Sequence, residues 1–151
     1  MRKRLMIIGM GDLAGLVLNL LAQGEEFGTI ILASRDVAEM ERRKNLALLV
    51  SLQLGRHHDI LCVPLDLQDE AQTAETLARL KPDVILNTAT LQSWRQITYL
   101  PKEVFQALDE AQFGPWLPMH LSLVHKLMKA VRASGTQPFV VNAAFPDAVG
   151  P

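Results

Sequence analysis

The sequence predicts an α/β fold, with one parallel sheet covered by helices on both faces. Three observations carry that prediction. Short apolar runs alternate with segments of helical periodicity along the whole chain. The runs are apolar throughout rather than at every second residue, as strands buried on both faces are. The first run also ends in a glycine-bearing turn that opens directly into a helix. Right-handed crossovers then wind these units into a doubly wound sheet of about five strands, with expected order 3-2-1-4-5.

Each element has its own signal. Residues 4–8 read as a buried strand. From 12 to 23, Leu13, Leu16, Val17, Leu20 and Leu21 recur at helical spacing, and Gly24 stands where a helix ends. Residues 29–33 form the second strand, followed by a helix over 37–54 that stops at Gly55. The third strand covers 60–65, and Pro64 near its end suits an edge position or a strand that is ending. A helix over 69–80 is broken by Lys81-Pro82-Asp83, and residues 84–87 form the fourth strand. A short helix is expected over 102–108 and a longer one over 116–133, closed by Gly135; the fifth strand lies at 138–142. Residues 88–115, which hold Trp94, Tyr99, Phe105 and Phe113, have no clear place in this scheme, and with Trp116 they offer an apolar surface for self-association, most simply a homodimer.

A chain of 151 residues is long enough for a single domain with a sizeable core. The net charge of −1 gives no reason to expect nucleic acid or an anionic membrane as a partner. The lone Cys62 excludes an internal disulfide framework and, in an apolar strand, is expected to be an inert thiol. The apolar stretch after Arg2-Lys3-Arg4 is broken by Gly9, Gly11 and Asp12, so it reads as a strand and not as a signal peptide. No run reaches the length of a membrane span, and the expected location is the cytoplasm.

The chemistry concentrates at the ends of the strands. Gly9-Met10-Gly11-Asp12-Leu13-Ala14 follows the first strand and opens a helix, the context in which G-x-G-x-x-G/A reads as a dinucleotide site. Gly9 permits the tight turn, Gly11 lets the backbone approach a pyrophosphate, and Ala14 allows close helix–strand packing. The opening amides, at Asp12 and Leu13, then face the phosphates. Ser34 and Arg35 end the second strand, where the adenosine ribose is read. A hydroxyl followed by a guanidinium suits a 2′-phosphate, so NADP is expected over NAD, whereas Asp36 turned back to the ribose would favour NAD. Arg42, Arg43 and Lys44 are weaker phosphate candidates. Asp66 and Leu67 are placed at the adenine, with Asp69 as a helix cap and Asp66 as a turn support in the competing reading. Asn87, Thr88 and Ala89 face the glycine turn from the fourth strand.

These residues resemble a known family. Leu5–Gly15, Ala33-Ser34-Arg35, Leu65-Asp66-Leu67 and Pro82–Asn87 are similar to the N-terminal cofactor domain of saccharopine dehydrogenase-like oxidoreductases, over roughly the first ninety residues. The resemblance implies a Rossmann-type domain, hydride chemistry on a small metabolite and a further substrate domain, so residues 1–151 are expected to be the cofactor module of a longer enzyme. Two departures stand out. The family commonly has an acid where Ser34 stands, and its members usually lack so long a segment after the fourth strand. The glycine spacing of short-chain reductases and epimerases is absent, and so is a Tyr-x-x-x-Lys pair, since Tyr99 is followed by Glu103.

No metal site is expected. His57 and His58 are sequence neighbours that point apart, while His120 and His125 are five apart on a helix, which is not a same-face spacing. All four are expected to be surface or half-buried side chains. Tyr99, Lys102 and His120 are candidate proton carriers, and none is assigned. A non-catalytic module that senses the redox cofactor is the alternative function.

Overall fold

A computed structural model describes residues 2–111 and 117–144, apart from the side chains of Trp94, Arg95 and Ile97. Its elements run β1 (Lys3–Ile8), α1 (Asp12–Leu21), β2 (Phe27–Ser34), α2 (Val37–Gln53), β3 (Asp59–Pro64), α3 (Glu70–Leu80), β4 (Val84–Asn87), a 3₁₀ turn (Trp94–Tyr99), α4 (Lys102–Glu110), α5 (Leu117–Ser134) and β5 (Phe139–Asn142). The strands form one sheet in the order β3-β2-β1-β4-β5, and every pairing is parallel. This is the predicted doubly wound Rossmann-like arrangement.

Successive residues of a strand point to opposite faces, so each strand feeds two cores. Leu5, Ile7, Ile30 and Leu32 pack under α1 and α2 with Ala14, Leu18, Met40 and Ala47. Met6, Ile8, Ile31 and Ile85 pack under α3 and α5 with Leu77, Leu123, Leu127 and Ala130. The inner strands β1 and β2 are the most enclosed: Met6, Ile7, Ile30 and Leu32 are fully buried. That double burial explains the unbroken apolar runs in the sequence.

The ends of the helices differ in detail from expectation. Helix α1 stops at Leu21 with Ala22 as its C-cap, and Gly24 only continues the turn. Helix α3 ends at Lys81 in the left-handed region (φ 46°), before a proline that cannot extend it. Asp36 and Asp69 cap α2 and α3, accepting from the backbone N–H of Glu39 and of Gln72, each at 2.9 Å.

Pro64 sits on an edge strand, as expected, and the hydrogen bonds show why it is tolerated. The N–H of Leu65 donates inward to Ser34 O at 3.0 Å, so the nitrogen of the preceding residue faces outward, away from β2. A proline there removes an outward donor and no sheet bond.

Of the 88–115 segment, Tyr99 is 77% exposed and α4 has no buried residue. Phe113 and Trp116, and the side chain of Trp94, lie outside the described residues, so the self-association expected of this segment is not addressed by them. No described helix is long and apolar enough to cross a membrane.

Candidate nucleotide cleft

The strand order reverses at β1. The crossover from β1 leads to β2 on one side, and β4 pairs with β1 on the other. A crevice opens at such a switch point, beyond the carboxyl ends of the strands. Here it is a cleft of about 240 Å³. Gly9, Gly11, Ser34, Arg35, Asp66, Leu67, Thr88 and Ala89 all line it, so four separate loops converge as expected.

The rim is held by a continuous set of backbone bonds. Gly9 N donates to Ala33 O at 2.9 Å, Thr88 N to Ile8 O at 2.8 Å, and Ala143 N to Asn87 O at 2.8 Å. The Thr88 hydroxyl also donates to Ile8 O at 3.0 Å. This brings the β4 exit hard against the glycine turn.

The two glycines have different duties. Gly9 has φ +88°, and a Cβ built there would lie 2.8 Å from Thr88 Oγ1 and 2.9 Å from Ala89 N. Only glycine fits, for reasons internal to the fold. Gly11 has an ordinary extended backbone (φ −77°, ψ −171°), and a Cβ there would meet nothing within 4 Å. Its missing side chain leaves open space within the cleft. Gly11 is also the N-cap of α1 without any side-chain cap. The first bond of the helix runs from Gly15 N to Gly11 O, so the amides of Asp12, Leu13 and Ala14 have no intrahelical acceptor.

The remaining expected residues stand behind or beside the lining. Ala14 is fully buried, as close packing of α1 on the sheet requires, and Leu13 is 47% exposed. The Asp12 carboxylate is turned outward, 3.6 Å from the Arg43 guanidinium. Asn87 is fully buried. Its amide nitrogen donates to Asn142 Oδ1 at 2.9 Å, and its Oδ1 accepts from Ala89 N at 3.2 Å. It therefore ties the exits of β4 and β5 together and shapes the wall that Ala89 forms.

At the exit of β2 and along α2, most of the charged side chains are engaged with one another. Asp36 is engaged as the α2 cap and does not line the cleft. Ser34 Oγ accepts from Asp36 N at 3.3 Å. Arg35 reaches the cleft exposed and makes no ion pair among the described residues. The other basic candidates are engaged elsewhere. Arg42 and Arg43 both donate to Glu39, at 2.7–2.8 Å, and Lys44 lies 2.9 Å from Glu41. Hydrogen bonds from these two arginines hold the Glu39 carboxyl below its ordinary pKa. In the third loop the cap and turn-support reading holds: Asp69 caps α3, and Asp66, which also lines the cleft, accepts from Gln68 N at 2.9 Å.

Met10, Gln68, Thr90, Leu91 and Leu123 also line the cleft, beyond the residues singled out in the sequence. Behind Thr90 lies His120, only 3% exposed, with Nδ1 2.9 Å from Thr90 Oγ1. Burial lowers its pKa, which favours the neutral ring. His120, expected at the surface or half-buried, is thus a core residue, and so is His58. It is 4% exposed, and its Nε2 lies 3.2 Å from Ala22 O at the end of α1. No cluster able to hold a metal ion occurs among the described residues. Cys62 is half-buried, and burial, reinforced by the neighbouring Glu41 carboxylate, pushes its thiol up to about 11, so it is protonated and inert at neutral pH.

No protein-family model and no curated protein matches the chain. Solved structures do. Saccharopine dehydrogenase (L-Glu forming) from Saccharomyces cerevisiae matches over 99% of this chain, at 17% identity and TM-score 0.50. A UDP-glucose-4-epimerase from Stenotrophomonas maltophila, solved with bound NAD, matches over 93% at 18% identity and TM-score 0.59. Menthone neomenthol reductase from Mentha piperita matches over 93% at 14% identity and TM-score 0.63. The similarity is one of fold. The chain spans 22%, 36% and 60% of the lengths of these three proteins, respectively.

Proposed function

We propose that this chain binds NADP(H) as the cofactor module of a saccharopine dehydrogenase-like oxidoreductase. The observation that carries the reading is the open space at Gly11. It lies in the cleft at the mouth of a helix whose first amides have no acceptor among the described residues, and no feature of the fold requires a glycine there. A pyrophosphate suits that place, because it satisfies the amides and the positive end of the helix dipole together. The cleft volume is below that of a typical small-molecule pocket, which suits the middle of an extended ligand whose ends lie along the open rim.

Arg35 supports the phosphorylated cofactor. It is the unpaired cation of the described cleft lining, while Asp36, the carboxylate that would favour the ribose diol, is held by the backbone N–H of Glu39 in α2. Bound there, the cofactor would supply hydride transfer; this chain would bind, orient and shield it. A substrate site would be completed by polypeptide outside these 151 residues, as the greater lengths of the structural neighbours suggest.

The test is calorimetric titration of the chain and of Gly11→Val with NADPH and NADH. Submicromolar to micromolar binding that the substitution abolishes, with the fold intact by circular dichroism, is the expected result. Undiminished affinity in the variant overturns the assignment of this turn.

A further inference from the structure

The two edges of the sheet are unlike. At the β3 edge, Pro64 has no outward N–H and the strand opens on the charged, exposed Asp59. At the β5 edge stands Phe139-Val140-Val141-Asn142, without a charge or an internal proline. Phe139 N and Ala143 N donate inward, to Asp83 O and Asn87 O. Alternation therefore turns the N–H and C=O of Val140 and Asn142 outward, where no strand among the described residues meets them. Such an edge is a template for another strand.

The surfaces on either side of this edge are also apolar. Phe139 is 71% exposed and Val141 39%, both on the α1/α2 face of the sheet, whose core reaches β4 through Val84 and Leu86 and includes no residue of β5. On the other face lies α5. Its Lys126 and Lys129 reach toward the start of α3, at Gln68 O and Glu70. At 100° per residue, Leu117, Leu121, Val124 and Met128 form a stripe on the opposite flank, which is the β5 side. Leu121 is 37% exposed and Met128 45%.

We propose that this edge pairs with the same edge of a second copy of the chain across a two-fold axis. With the axis at Val141, Val140 of each copy exchanges both backbone bonds with Asn142 of the other, and the two α5 stripes meet on one face. The self-complementary part is the backbone, and a two-fold antiparallel pair is the arrangement that uses it. The area sets the strength. Helix α5, 18 residues long, offers a flank of about 27 Å by 10 Å, and β5 adds about 13 Å of edge, roughly 400 Å² per copy before side-chain relief. A total of about 800 Å² is small for a permanent dimer and fits a reversible one.

Sedimentation velocity over a concentration series tests the proposal. The expected result is a monomer–dimer equilibrium in the micromolar range that shifts at least tenfold toward monomer in Met128→Glu and in Phe139→Lys. Both side chains are exposed, so the core is untouched, and circular dichroism confirms the fold of each variant. In the unmodified chain, amide exchange at Val140 and Asn142 should slow as concentration rises. A monomer up to hundreds of micromolar overturns the proposal. So does a dimer indifferent to both substitutions, such as one built on residues 94–116. Neither result bears on cofactor binding, which is measured separately.

Discussion

Replacing Gly9 and Gly11 separately by alanine should divide two roles that the sequence pattern treats as one. At Gly9 a Cβ meets Thr88 Oγ1 at 2.8 Å and the backbone of Ala89 at 2.9 Å, and φ is +88°. The left-handed backbone costs about 1–2 kcal/mol for an L-residue. The overlap adds about 1–3 kcal/mol, because Thr88 N is fixed by its bond to Ile8 O and cannot retreat. The sum, about 2–5 kcal/mol, is a large share of a typical domain stability of about 5–15 kcal/mol. It should lower Tm by roughly 5–20 °C in a chain of this size. At Gly11 the added methyl meets nothing within 4 Å and φ is −77°. The gain from a less flexible unfolded chain nearly offsets alanine's weaker N-cap preference, so stability should change by about 0.5 kcal/mol or less. Urea unfolding of the three proteins measures both quantities. Equal destabilisation by the two substitutions, or none at Gly9, would refute the division.

Arg35→Ala should weaken NADPH by about 1.5–3 kcal/mol, as for a hydrogen bond to a charged group, and leave NADH nearly unchanged; equal losses in paired titrations would mean that Arg35 stacks on the adenine instead. For His120, burial lowers the folded pKa below the unfolded value near 6.5. The unfolded state then binds the proton more readily, so the stability that His120 contributes is full above about pH 6.5 and is lost as pH falls through the folded pKa. Urea midpoints from pH 8 to 5 should show this decline, and His120→Gln should flatten it; an unchanged slope in the variant would assign the decline to other groups.

The sheet was legible because its signals are local. Each strand is an apolar run, each crossover a helical period, and Pro64 marked an edge through its missing donor alone. The glycine turn was legible for the same reason, and convergence of the β2, β3 and β4 exits on it follows from strand order. Long-range pairings were not. Thr90 and His120 are thirty residues apart and meet at 2.9 Å only once α5 docks, so a lone histidine on a helix looked like a surface or half-buried residue. Asn87 looked like a cleft residue because it ends β4, whereas its partner Asn142 is fifty-five positions on. The basic run on α2 had its answer close by, in Glu39 and Glu41 at i,i+3 and i,i+4, which neutralise it along the helix.

The outward-facing nitrogen of Pro64 bears on what the protein does when crowded. A parallel sheet with two open edges is a monomer in the polymer chemist's sense, able to add a further unit at each side without end. Blunting one edge removes half of that functionality. Association through the remaining edge then terminates after a single addition, so a concentrated solution should stay clear and should not progress to fibres.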